Sequence, residues 1–129
     1  MMLSVVPVYA AILGLVYVLL SGWVIGARGR FRVGIGDGGK PELALRMRVH
    51  GNFAEYVPIS LILLVLLELA GVGSTAMHAL CACLLAGRIL HAWGLGRSDG
   101  TTVGRFVGMI LTFTALIVPS VWLLVIAAG

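Results

Sequence analysis

Four long apolar stretches separated by three short connections make up most of this chain, and their lengths set the first reading. They run from about Val5 to Ile25, Asn52 to Leu69, Thr75 to Leu95 and Val103 to Ala127. Each is close to or above the roughly 20 residues that carry an α-helix across a hydrocarbon core. The first is too long for a signal-peptide core and has no basic leader, so it reads as a retained span. Pro7, Pro58 and Pro119 fall in or near these stretches, where neighbouring helices can re-satisfy the carbonyls that proline frees. The expected fold class is all-α and integral to a membrane. Residues 1–129 form one domain, a four-transmembrane-helix bundle in up-and-down order.

Composition agrees. Hydrophobic residues are 60%, charged residues 11% and the mean hydropathy +1.11, whereas soluble domains carry about 25% charged residues. The net charge of +4 and pI of 9.7 do not indicate nucleic acid. The basic residues sit at span boundaries, without interleaved aromatics or a soluble fold to present them. The first connection holds Arg28, Arg30, Arg32, Lys40 and Arg46, followed by Arg48; the third holds Arg97, flanked by Arg88 and Arg105. The second carries no charge. The positive-inside rule then puts the first and third connections in the cytoplasm and both termini on the far side.

The polar residues that enter the spans are the candidate site. Arg48, Asn52, Glu55 and Tyr56 fall at i, i+4, i+7 and i+8, one stripe on one helix face. Ionisable groups inside a span cost roughly 2.5 to 3.5 kcal/mol each on insertion scales, and persist where they pair, line a wet cavity or bind something. At the same membrane face the third stretch ends with Arg88 and His91, which share a face at i and i+3, and the fourth opens with Arg105. Arg88 has two readings, a structural partner of Glu55 or part of a ligand site; Arg105 reads as a lipid-facing anchor or part of the same site. Taken together, Arg28, Arg48, Arg88 and Arg105 against only Glu55 leave an excess of positive charge that suits an anionic ligand.

Other signals reduce to packing. Gly34 to Gly39 matches G-x-G-x-x-G but follows a membrane helix, not a strand, so it reads as a flexible loop. Cys81 and Cys83 point to different faces of one helix and read as small packing residues. Gly22 with Gly26, and Gly104 with Gly108, permit close helix approach within or between subunits. Glu68 and His78 lie toward the far face, with Glu68 reaching the interface. No Cys/His set at ligand spacing suggests a metal.

The residues resemble a known family, the membrane-associated proteins in eicosanoid and glutathione metabolism, over nearly the whole chain. Arg48-x-x-x-Asn52-x-x-Glu55-Tyr56-x-Pro58 is similar to the family's second-helix hallmark. Val24 to Val33, including Ala27-Arg28, is similar to the end of the first helix in leukotriene C4 synthase, and Arg88-x-x-His91 with Arg105 resembles the microsomal glutathione transferases. The resemblance implies a homotrimer binding glutathione at subunit interfaces near the cytoplasmic side, with a lipophilic electrophile arriving from membrane lipid. Arg48, Asn52, Glu55 and Tyr56 would hold glutathione, with His50 in polar contact and Arg28 on a carboxylate. Arg88 and His91 would line the same pocket, and Arg105 would stabilise the thiolate as the catalytic residue. Leu95 and Gly29 stand where leukotriene C4 synthase has a tyrosine and a second arginine. Transferase, peroxidase and isomerase share such a pocket. A non-catalytic binding protein of the same fold and a small four-helix transporter remain alternatives.

Overall fold

Two of the four helices begin with proline in the first turn, a position where the missing N–H loses no helical hydrogen bond. The computed structural model, which describes residues 3–97 and 100–129, has α1 at Val6–Phe31, α2 at Pro41–Leu69, α3 at Ser74–Arg97 and α4 at Val103–Ala128. All four are long and apolar enough to cross a membrane. Ser98, Asp99 and the side chain of Arg97 lie outside the described residues, so Arg97's share of the basic third connection rests on sequence alone.

Helix bounds depart from the apolar stretches at the end of the bundle that carries the first connection. α1 continues past Ile25 to Phe31 because Arg28 and Arg30 in its last turn complement the C-terminal dipole. It stops where Arg32 takes a left-handed conformation, φ 56°. α2 starts at Pro41, well before Asn52, with Glu42 in the first turn. Its polar opening is held to α1. Arg46 donates to the Trp23 carbonyl at 2.8 Å and lies 4.8 Å from the Trp23 ring centre, while Glu42 pairs with both Arg46 and Arg30.

At the opposite end the expectation for Glu68 is corrected. Glu68 is buried, and it accepts the backbone N–H groups of Ser4 (2.8 Å), Val5 (2.7 Å) and Val6 (2.9 Å). These are free donors at the start of α1, whose own cap residue, Val5, has no side chain to offer. A carboxylate from the end of α2 thus caps α1, which outweighs the reach to the interface. His78 meets Tyr9, with Nδ1 3.2 Å from the hydroxyl.

α2 and α3 are the inner helices: 39% and 44% of their most apolar windows are buried, against 11% and 17% for α1 and α4, whose outer faces are left for lipid or another copy. α3 and α4 make the most extensive pair, and glycine decides their spacing. A Cβ on Gly108 would sit 2.5 Å from the His91 nitrogen and 2.7 Å from the Gly87 carbonyl oxygen; one on Gly94 would strike the Arg105 nitrogen. Gly104 and Gly108 therefore serve packing inside one chain, aided by Gly87 and Gly94. Gly22 and Gly26 have nothing within 4 Å of such a Cβ among the described residues, so they pack against none of these.

Candidate functional site

The glycine contacts set α4 one backbone width from α3, and that closeness brings Thr112 and Met109 to Arg88. Arg88 is fully buried among α2, α3 and α4. Its Nη2 donates to Asn52 Oδ1 at 2.5 Å and lies 3.3 Å from His91 Nδ1; its Nη1 donates to Thr112 Oγ1 at 3.3 Å and approaches Met109 Sδ at 4.0 Å. The guanidinium also lies 5.6 Å from the Tyr56 ring centre and 5.9 Å from that of Phe53. Its Nε has no partner among the described residues. Among the described residues, every side chain bonded to this buried cation is formally neutral.

Glu55 pairs with Arg48 at 3.2 Å, both exposed on the outer side of α2. The reading of Arg88 as the hydrogen-bonded partner of Glu55 is therefore corrected: two turns along one helix bring Arg48 within reach, while Arg88 approaches from the other side of Asn52. The stripe of Arg48, Asn52, Glu55 and Tyr56 straddles a boundary, with Asn52 and half-buried Tyr56 turned inward and the charged pair turned outward. Tyr56 completes its wall edge-on to Phe113, 5.8 Å between centres.

His91 is buried beside Arg88, and the charges of Arg88, Arg105 and Arg48 all bear on its ring. Arg105 is half-buried in the first turn of α4. Its backbone N–H caps onto Thr102 Oγ1 at 3.2 Å, and its Nη1 reaches the Gly100 carbonyl at 3.5 Å. Asn52, Tyr56, Arg88, His91 and Arg105 thus share one end of the α2–α3–α4 packing.

Arg28 and His50 lie elsewhere, toward α1. His50 Nε2 is 3.0 Å from Ser21 Oγ, and its ring stacks on Tyr17 at 4.8 Å. Arg28 Nη1 donates to the carbonyls of Val33, Gly34 and Gly36, the last at 2.9 Å, and Nη2 reaches Met47 Sδ at 3.4 Å. Beside it opens a cleft of about 450 Å³ lined by Gly36, Asp37, Ala44, Met47 and Arg48. Within one chain the sequence candidates form two sets on opposite sides of α2.

Thr112, Ser21 and Phe53 were not singled out from sequence. Thr112 had a signal: Arg105, Gly108 and Thr112 fall at i, i+3 and i+7, a polar and small stripe on an otherwise apolar helix. Ser21 had none, since a lone serine in a span usually bonds its own helix, and here it also donates to the Tyr17 carbonyl. No metal-binding group of His, Cys, Asp or Glu occurs among the described residues.

The MAPEG family pattern matches residues 6–125. Two curated relatives, both named inner membrane protein YecN and found in Escherichia coli strain K12 and in Escherichia coli O6:H1 strain CFT073, are 38% identical to the chain over 86 residues. The matched segment is 67% of this chain and 66% of each relative, so the chain spans just under two thirds of their length. Four apolar helices and the kinship with an inner membrane protein make this a multi-pass integral membrane protein. A match over almost every residue of the bundle settles the larger kinship: the chain belongs to the MAPEG family.

Proposed function

We propose that the chain is a membrane-bound, glutathione-dependent transferase that works as a homotrimer, with its site near the cytoplasmic face and both termini on the opposite side. One observation carries the reading: Arg88 is a fully buried cation whose bonded side chains, among the described residues, are all neutral. Such a centre favours an anionic ligand. Glutathione carries two carboxylates, one ammonium and one thiol. Arginines suit its carboxylates, Glu55 suits the ammonium, and a guanidinium beside the thiol favours the thiolate.

The two-set layout supports the trimer. Arg28 and His50 on one side of α2 cannot meet Asn52, Tyr56 and Arg105 on the other, whereas a neighbouring copy can present its first set to this chain's second set. Enclosure by a neighbour also removes the exposed pair of Arg48 and Glu55 from lipid.

In the reaction Arg105 holds negative charge on the sulfur, which attacks an electrophilic carbon of a lipophilic substrate. A carbon–sulfur bond forms, the leaving group departs with its electron pair, and the thiol proton passes to solvent. Peroxidase or isomerase chemistry would use the same thiolate. A non-catalytic lipid- or glutathione-binding role draws on Leu95, which is buried and apolar where leukotriene C4 synthase has a phenol.

Titration of the purified protein with glutathione, followed by thiolate absorbance in the ultraviolet and then by addition of an aryl halide, tests the reading. Binding, a thiolate band and thioether formation are the expected results. Binding without the band or product supports a non-catalytic glutathione-binding role, and no binding at millimolar glutathione defeats the transferase and leaves the lipid-binding role.

A further inference from the structure

The connection between α1 and α2 concentrates charge. From Arg28 to Arg48 there are six cations and two anions, six minus two giving +4, equal to the formal net charge of the whole chain. Glu42 is engaged by Arg30 and Arg46, and Arg48 pairs with Glu55. Arg32 and Lys40 remain exposed at the two ends of the loop, without a side-chain bond among the described residues.

Between them stands Ile35, 94% exposed. This is not a slack segment. Arg28 gathers the carbonyls of Val33, Gly34 and Gly36, Asp37 Oδ1 accepts the Gly39 N–H at 2.9 Å, and the Lys40 N–H reaches the Asp37 carbonyl at 3.0 Å. Gly38, at φ +57°, lies so close to Val33 that a Cβ there would be 2.6 Å from Cγ2. A loop tied in this way holds a large aliphatic side chain almost wholly outside the protein. It does so immediately after α1, whose 26 residues exceed the roughly 20 that cross the hydrocarbon core and so carry its end toward the headgroups.

We propose that this loop is a membrane-surface anchor: Ile35 inserts among the lipid chains just below the headgroups, while Arg32 and Lys40 engage the phosphates of anionic phospholipids. Charge complementarity selects the partner, because an anionic leaflet attracts boundary Lys and Arg residues while an aliphatic tip gains by leaving water. Gly36 and Asp37 also form part of the wall of the 450 Å³ cleft, so lipid engagement fixes one side of that cleft. The inference does not depend on the glutathione reading.

The test places a fluorophore at Ile35→Cys in the full chain, reconstituted in nanodiscs of phosphatidylcholine with or without about one third phosphatidylglycerol. Native Cys81 is buried and Cys83 half-buried, and the unsubstituted protein taken through the same labelling sets the background. Brominated lipid is expected to quench the probe and aqueous iodide to leave it bright. Brominated phosphatidylglycerol should quench beyond its bulk share. Arg32→Asn, which tolerates the left-handed backbone, together with Lys40→Gln should remove that excess, by up to about fivefold per charge near an anionic surface. Quenching by iodide alone would overturn the proposal, as would an anionic preference that survives in the double variant. A probe shielded from both quenchers would also overturn it, and would assign the tip to a protein contact.

Discussion

Arg88 and Asn52 meet at 2.5 Å across the packing of α3 on α2, both buried, with the amide oxygen as the shortest bond to the guanidinium. Asn52→Ala leaves that N–H without an acceptor. The loss of a hydrogen bond to a charged group is worth about 1.5 to 3 kcal/mol, so the variant should unfold at clearly lower temperature in detergent. Asn52→Asp restores an acceptor and adds a counter-charge, and it should recover stability while weakening glutathione binding, because the anionic ligand then faces a neutralised centre. Equal binding by Asn52→Asp and the native chain would separate the Arg88 cluster from any ligand role.

Gly108 tests how helix spacing builds the site. Its substitution by Ala drives a methyl into backbone of α3 at His91 and Gly87, atoms that cannot rotate away. Overpacking of this kind costs about 1 to 3 kcal/mol, and the forced separation moves Thr112 and Arg105 away from Arg88 and His91. Thermal stability and glutathione affinity should fall together. Gly22→Ala, where nothing lies within 4 Å, should leave the isolated subunit unchanged; a loss of trimer in native mass spectrometry would place this face of α1 against a neighbour.

Glu68 makes a prediction of the opposite kind, on stability alone. Glu68→Ala frees three backbone donors at the start of α1, and loss of a helix cap costs about 0.5 to 2 kcal/mol. Faster amide exchange over Ser4 to Val8 with unchanged conjugation rate is the expected outcome. A fall in rate that stability does not explain would tie the far face to the chemistry.

The four helices were legible because a span must satisfy its own backbone and be apolar for about 20 residues, a strong constraint on sequence. The helix ends at the first connection were not, since α1 and α2 run beyond the apolar stretches on charge and capping. The second-helix stripe put Arg48, Asn52, Glu55 and Tyr56 on one face, but helical spacing does not say which way a stripe turns in the bundle. Arg48 and Glu55 face outward while Asn52 faces inward, a difference set by where α3 packs. Glu68 was misread because its partners are backbone N–H groups, which no residue type in the sequence announces.

Glu55 separates the ligand reading from a structural one. It is exposed and pairs only with exposed Arg48 among the described residues, and exposed pairs contribute little to stability. Glu55→Gln should therefore keep the native melting temperature while weakening glutathione binding about tenfold or more, as a charged hydrogen bond to the ammonium is lost. Unchanged affinity would remove Glu55 from the site.

Arg105 carries the prediction closest to the chemistry. Its backbone is secured by Thr102 at the start of α4, so Arg105→Ala should leave the helix in place and remove a positive charge from the end of the site shared with His91 and Arg88. A free thiol of this kind titrates near 8.5, and each unit by which the site lowers that value is about 1.4 kcal/mol. With a shift of about two units, most of the bound thiol is ionised at neutral pH, and loss of the shift lowers the thiolate fraction by roughly 25-fold. Turnover at pH 7 should fall by about that factor while glutathione affinity falls only about fourfold, the share of binding that a two-unit shift supplies at that pH. Raising the pH toward 9 should recover much of the rate, since hydroxide then generates the thiolate that the site no longer favours. Arg105→Lys should fall between, keeping charge without the planar fork. Native turnover in Arg105→Ala at neutral pH would end the assignment and leave Arg105 as an anchor at the membrane boundary.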